Sequence, residues 1–185
     1  MSPTIRHLRP RHLLRLIGCA LLLFAGTGRG AAQGQPSQLL LKDIAPGAAS
    51  ADPRLLTTVG DRVFFTAAAP DTGRELWTSD GTEAGTRLVA DLTPGPDSSA
   101  INVMAAFDGR LLFLLQTAGG FELRASDGAG TTLIASAEGQ YPDRGFAVSA
   151  GAVYFSTQTF PGIGGTHRLW RSDGSTAGTA SLAQV

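Results

Sequence analysis

Three aspartates recur at nearly equal intervals. Asp80, Asp127 and Asp173 lie 47 and 46 residues apart, and each precedes a glycine: Gly81, Gly128 and Gly174. Carboxylates on turns are hard oxygen donors, so with Glu83 close by the set raises calcium as a ligand. Trp77 and Trp170 each stand three residues ahead of one of these aspartates. A tryptophan face can stack a sugar ring, which makes a glycan the second ligand to weigh. His167 is near Ser172 and Asp173, the residue types of a Ser/His/Asp relay.

Each of these chemistries competes with a plainer structural role. Calcium loops of the EF-hand type alternate Asp and Asn along the loop, and the calcium-binding nonapeptide is Gly-rich; neither pattern surrounds the three aspartates. Asp followed by Gly and a hydroxyl residue is instead a turn. The carboxylate accepts a backbone N–H two residues on, and Gly takes backbone angles that other residues resist. The turn role therefore ranks first and calcium second. Tryptophans repeating in phase with a structural period suit packing between stacked sheets, so core packing ranks ahead of ligand stacking.

Catalysis finds less support. Ser172 has no nucleophile-elbow pattern, and Cys19 is the only cysteine of the chain. His167 is the only histidine after residue 12, which excludes a multi-histidine metal site. Every acid in the repeated stretch has a turn role available, so none is singled out as a glycosidase carboxylate. No catalytic residue is assigned.

The elements that would position these residues repeat with the same period. Arg74 to Thr86, RELWTSDGTEAGT, returns as RLWRSDGSTAGT from Arg168 to Thr179 and, more faintly, as FELRASDGAGTT from Phe121 to Thr132. Leu76, Leu123 and Leu169 keep the intervals of the aspartates. Trp77, Thr82, Gly85 and Thr86 of the first copy correspond to Trp170, Ser175, Gly178 and Thr179 of the third, whereas the second has Arg124 in place of tryptophan. Ahead of each copy stand two apolar runs around a tight turn, of which Asp108-Gly109 is the strongest hairpin signal. After each comes a short run: Leu88 to Leu92, Leu133 to Ala137, and Leu182 to Val185. Four strands per period of 46 to 47 residues predict an all-β, propeller-like array of about three four-stranded antiparallel blades, over 55–92, 101–137 and 146–185. Leu39 to Ile44 reads as a surplus strand of the kind that ends a blade.

Glu75-Leu76-Trp77 with Asp80-Gly81-Thr82 and Gly85-Thr86 resembles the ELWxxDGT repeat of bacterial exported proteins. The third copy departs at Arg168 and Ser175; the second lacks the tryptophan and the spaced Gly-Thr. The resemblance extends over about 39–185. It implies a location at the cell surface or outside the cell and a propeller-like structure, and it brings no catalytic residues.

The first 32 residues have the parts of a secretory signal: an Arg-rich start, an apolar run from about Leu16 to Ala25, and a small-residue exit that places cleavage after Ala32. The apolar run is too short for a spanning helix. Leu16-Ile17-Gly18-Cys19 has the look of a lipobox, but the apolar run continues past the cysteine, which argues against lipidation. Residues 33–38 read as a disordered lead and 39–185 as the repeat domain.

Arg6, Arg9, Arg11, Arg15 and Arg29 lie in the leader. The remainder therefore holds ten basic and fifteen acidic residues, a net charge of about −5. Nucleic acid is a poor partner for such a surface. The sequence thus predicts a non-catalytic exported module or scaffold, in the form of an open or incomplete propeller or a piece of a longer one. Its expected partner is a protein or glycan, or another copy meeting it at exposed blade edges. A carbohydrate-binding or carbohydrate-active propeller and a calcium-stabilised envelope spacer are the alternatives.

Overall fold

The computed structural model describes residues 40–159 and 165–184. The expected signal, the lead over 33–38 and Cys19 lie outside them. Twelve strands form three four-stranded sheets, each with its strands in chain order. The first sheet holds β1 (Arg54–Val59), β2 (Arg62–Ala69), β3 (Gly73–Ser79) and β4 (Arg87–Ala90). The second holds β5 (Ala100–Phe107), β6 (Arg110–Gln116), β7 (Gly120–Ser126) and β8 (Thr131–Glu138). The third holds β9 (Gln140–Ser149), β10 (Ala152–Thr159), β11 (His167–Ser172) and β12 (Ala180–Gln184). All strand pairs are antiparallel. The result is a propeller-like, all-β array. The described residues contain no helix, hence none long and apolar enough to cross a membrane.

Alternation along the strands gives the first and second sheets an apolar set on each face. The forward face of the first sheet, Val59, Phe64, Leu76 and Val89, packs on Ile101, Leu111, Phe113 and Leu115 of the second. The second sheet in turn sends Leu112, Leu114, Phe121, Leu123 and Ile134 against Val153, Phe155 and Trp170 of the third. Phe155 and Trp170 stack with an interplanar angle of 4°, and Phe121 meets both edge-on. Sheets whose two faces are both buried read as continuous apolar runs. RLLFLLQ in β6, with five consecutive buried residues, is the clearest case.

Two expectations about boundaries change. Residues 40–44 form no strand, because among the described residues no sheet lies beside them to accept their backbone groups; Leu40 is 72% exposed. The third sheet starts at Gln140 rather than residue 146. Beyond a bulge, Gln140, Tyr141 and Pro142 still pair with Thr159, Gln158 and Thr157, so one bent strand carries the sequence across what had looked like a connection. At the Asp108-Gly109 hairpin both residues have positive φ, 48° and 69°, as a primed two-residue turn demands.

Candidate functional site

Each repeated aspartate folds into its own turn. Asp80 Oδ1 accepts the Thr82 N–H at 3.0 Å and the Thr82 hydroxyl at 2.7 Å, while Thr82 Oγ1 accepts the Gly85 N–H at 2.9 Å. Below it, the buried Ser79 hydroxyl contacts Thr86 Oγ1 at 2.7 Å and accepts the Gly81 N–H. The third copy repeats the arrangement: Asp173 Oδ1 holds Ser175 N and Oγ, Ser175 Oγ holds Gly178 N, and Ser172 contacts Thr179 at 2.6 Å. In the second copy only the core survives, with Asp127 accepting from Ala129 N and Ser126 from Gly128 N.

Gly85 and Gly178 are required by this packing. A Cβ at either would fall 1.9 Å from the carboxylate of Asp80 or Asp173. The donors pull all three aspartates below the ordinary carboxylate range. The main cause is the Thr82 hydroxyl for Asp80, the Ala129 amide for Asp127 and the Ser175 hydroxyl for Asp173. They sit on separate turns, and among the described residues no group of three His, Cys, Asp or Glu side chains is placed to hold a metal ion.

Neither tryptophan is an open platform. Trp77 is 8% exposed and lies on the rear face of the first sheet with Phe65, Ala67, Ile44 and Ala51. Trp170 packs in the core between the second and third sheets, its Nε1 donating to Thr157 Oγ1 at 2.9 Å. Leu76 and Leu123 face forward, away from the tryptophan side of the strand, and both are fully buried.

His167 does not join Ser172 and Asp173. Ser172 is fully buried and bound within its turn. The histidine Nδ1 lies 3.4 Å from Asp143 Oδ2, and the Ser156 hydroxyl donates to that same oxygen at 3.3 Å. A nucleophilic relay needs the hydroxyl on the imidazole; here serine and histidine share the carboxylate instead. Asp143 and Ser156 could not be connected to His167 from sequence, since only the bent β9 brings residue 143 beside β10.

The motif's glutamate has a role that the turn reading missed. Glu75 is fully buried and reaches across to the connection between the first two sheets, where Oε2 accepts the Leu92 N–H and Oε1 the Ser99 N–H, both at 2.9 Å. Burial raises its pKa above the ordinary value, outweighing those two amide donors. Its counterpart Glu122 pairs with Arg124 on its own strand, and the third copy has Arg168 there.

A cleft of about 610 Å³ opens on the rear of the first sheet. Its walls include Leu40, Leu41 and Ile44 from the segment ahead of β1, and Leu56, Val63 and Phe65 from the sheet. The segment is anchored at its far end. Ala68 N donates to Ala51 O at 2.8 Å, and Arg74 grips Asp52 through both its backbone and its carboxylate. Exposed Leu40, Leu41 and Leu56 would have marked this surface had the sequence shown that they converge.

No protein-family model matches the chain, and no curated protein sequence matches it. Among solved structures, an acylaminoacyl peptidase of Pyrococcus horikoshii is similar over 72% of this chain at 13% identity and a TM-score of 0.48. An α-L-arabinofuranosidase of Clostridium thermocellum is similar over 77% at 14% identity and a TM-score of 0.40. This chain spans 20% and 53% of their respective lengths.

Proposed function

We propose that this chain is a non-catalytic, exported interaction module of the ELWxxDGT-repeat type, which binds a partner through the rear face of its first sheet. The observation that carries the reading is the contrast between two kinds of surface. The repeated polar residues are spent on their own turns. The apolar residues around the cleft, by contrast, lie open: Leu40, Leu41 and Leu56 lack the cover that sheet–sheet packing gives to every other rear-facing cluster. A contiguous exposed apolar surface on residues 33–185, whose formal charge is about −5, is the mark of a protein contact site. Export rests on the leader pattern and repeat resemblance.

The test has two arms. Expression of the whole chain in a bacterial host should yield an extracytoplasmic form whose N-terminal residue is Gln33. Crosslinking at the cell surface should then give a defined adduct with the wild type that a Leu41→Asp/Leu56→Asp variant fails to give. Retention of the full leader in the cytoplasm would overturn export. An adduct unaffected by the double substitution would overturn the binding surface, and a glycan-array signal surviving it would move the reading to carbohydrate recognition elsewhere.

A further inference from the structure

We infer that the rear face of the first sheet, together with residues 40–52, is the seat of a three-stranded antiparallel sheet of this same repeat type supplied by another chain. The sheet that fits carries an arginine at the position of Arg62 and a glutamate at that of Glu75. The inference rests on the interaction-module reading and names the partner's chemistry.

The internal interfaces show what belongs there. Gly128 of the second sheet's turn lies against Arg62 and Phe64 of the first: a Cβ on it would be 3.5 Å from the Phe64 ring and 3.7 Å from Arg62 Cδ. Gly174 of the third meets Arg110 and Phe107 of the second, with Arg110 Nη2 donating to Gly174 O at 3.1 Å. The equivalent Gly81 has nothing within 4 Å of a Cβ, and it lines the cleft. On the same face Ala67 takes the place that Leu115 holds in the second sheet.

The segment ahead of β1 is itself an inter-sheet connection. Asp43-Ile44-Ala45-Pro46-Gly47 corresponds, 48 residues earlier, to Asp91-Leu92-Thr93-Pro94-Gly95, and the two glycines have φ of +98° and +106°. In the later copy, Glu75 of the preceding sheet holds the Leu92 and Ser99 amides. Their counterparts Ile44 and Ala51 have no such glutamate before them among the described residues. Upstream, Leu40–Lys42 corresponds to Leu88–Ala90 of β4, the outermost strand of its sheet, yet pairs with no strand. The fitting sheet therefore lacks its outer strand and takes Leu40–Lys42 in that place, a case of strand addition.

A second copy of the described array does not satisfy these requirements. Its free sheet, the third, has Ala152 where the arginine belongs, Ser149 in place of Phe107 and Arg168 in place of Glu75, and its outer position is filled by β12.

Residues 54–79 of this chain, fused to a soluble carrier, supply a probe: three strands with Arg62 and Glu75 and no outer strand. Titrated into the isotopically labelled whole chain, the probe should shift the Ile44 and Gly81 amide signals saturably. Arg62→Ala or Glu75→Gln on the probe should weaken binding about tenfold or more, the loss expected for a charged hydrogen bond. Leu41→Asp on the chain should abolish it, with the chain's own thermal unfolding unchanged. The inference is overturned if Ile44 and Gly81 do not respond, or if they respond to either probe variant as strongly as to the unsubstituted probe. Self-association of the chain in light scattering, without response to the probe, also overturns it while leaving the interaction-module reading intact. Loss of the wild-type surface adduct would remove that reading as well.

Discussion

Trp77 and Trp170 hold the same position on the third strand of their sheets, yet only Trp170 has an acceptor for its indole N–H. Thr157 supplies it, and Thr157 in turn donates to the buried Gln140 at 2.9 Å. In the first sheet the counterpart of Thr157 is Ala67, and Trp77 Nε1 is buried with no partner among the described residues. Thr157→Val should therefore cost about 1–3 kcal/mol by stranding both neighbours. Denaturant unfolding of Thr157→Val, Trp170→Phe and the double variant should show strong coupling. Additive losses would mean that the relay is energetically idle.

The closeness of Asp80 to Gly85 predicts a conditional clash. Gly85→Ala should destabilise the chain by about 1–3 kcal/mol, since the Cβ displaces a carboxylate fixed by Thr82. In an Asp80→Ala background the same substitution should be close to neutral. Equal losses in both backgrounds, measured by urea midpoint, would place the constraint elsewhere.

Glu75 ties a connection between two sheets, so its loss should be felt outside its own strand. Glu75→Gln sets an amide NH₂ against the Leu92 or Ser99 N–H and should cost about 1–3 kcal/mol. Hydrogen exchange at those two amides should accelerate more than at β6. Unchanged exchange there would contradict the tether.

Ala150 has φ of +49° in the third hairpin, where the second has aspartate. A left-handed conformation costs an L-residue with a Cβ about 1 kcal/mol or more. Ala150→Asn should accordingly raise stability by up to about 1 kcal/mol and leave sheet pairing intact, as a thermal melt would show.

The turn aspartates set the response to acid. Their folded pKa values are depressed, so the stabilisation they give is complete above the ordinary value of 3.8 and fades as pH falls through the folded values. Glu75 acts in the opposite sense: its raised pKa gives stability that is full below 4.5 and declines as pH rises through the folded value. Urea midpoints at about pH 5 and about pH 2.5 should therefore differ more for the wild type than for an Asp80→Asn/Asp127→Asn/Asp173→Asn variant. An undiminished difference in the variant would assign acid sensitivity to other groups.

Periodicity made the array legible in advance. A leucine and an aspartate recurring at 47 and 46 residues fixed the number of sheets and their strand order, because sequential hairpins pair with their neighbours. What escaped depended on partners in space. Leu40 to Ile44 has the composition of a strand but no sheet to pair with, and strand formation needs both. Gln140 to Asp143 carries a proline and an aspartate, poor strand residues, yet the bulge admits them. A turn role is available to every acid of the motif by sequence, and only the connection passing over Glu75 at Leu92 and Ser99 gives it a different one.

The strictly sequential strand order also has a kinetic side. Every hydrogen-bonded strand pair joins neighbours along the chain, so the loops closed in building a sheet are short and their entropic cost is small. Each sheet can form from about forty consecutive residues, and only the burial of one sheet on the next requires more distant segments to meet. Refolding should then show early gain of strand signal and a later step in which Phe121, Phe155 and Trp170 come together, with indole fluorescence as its natural clock.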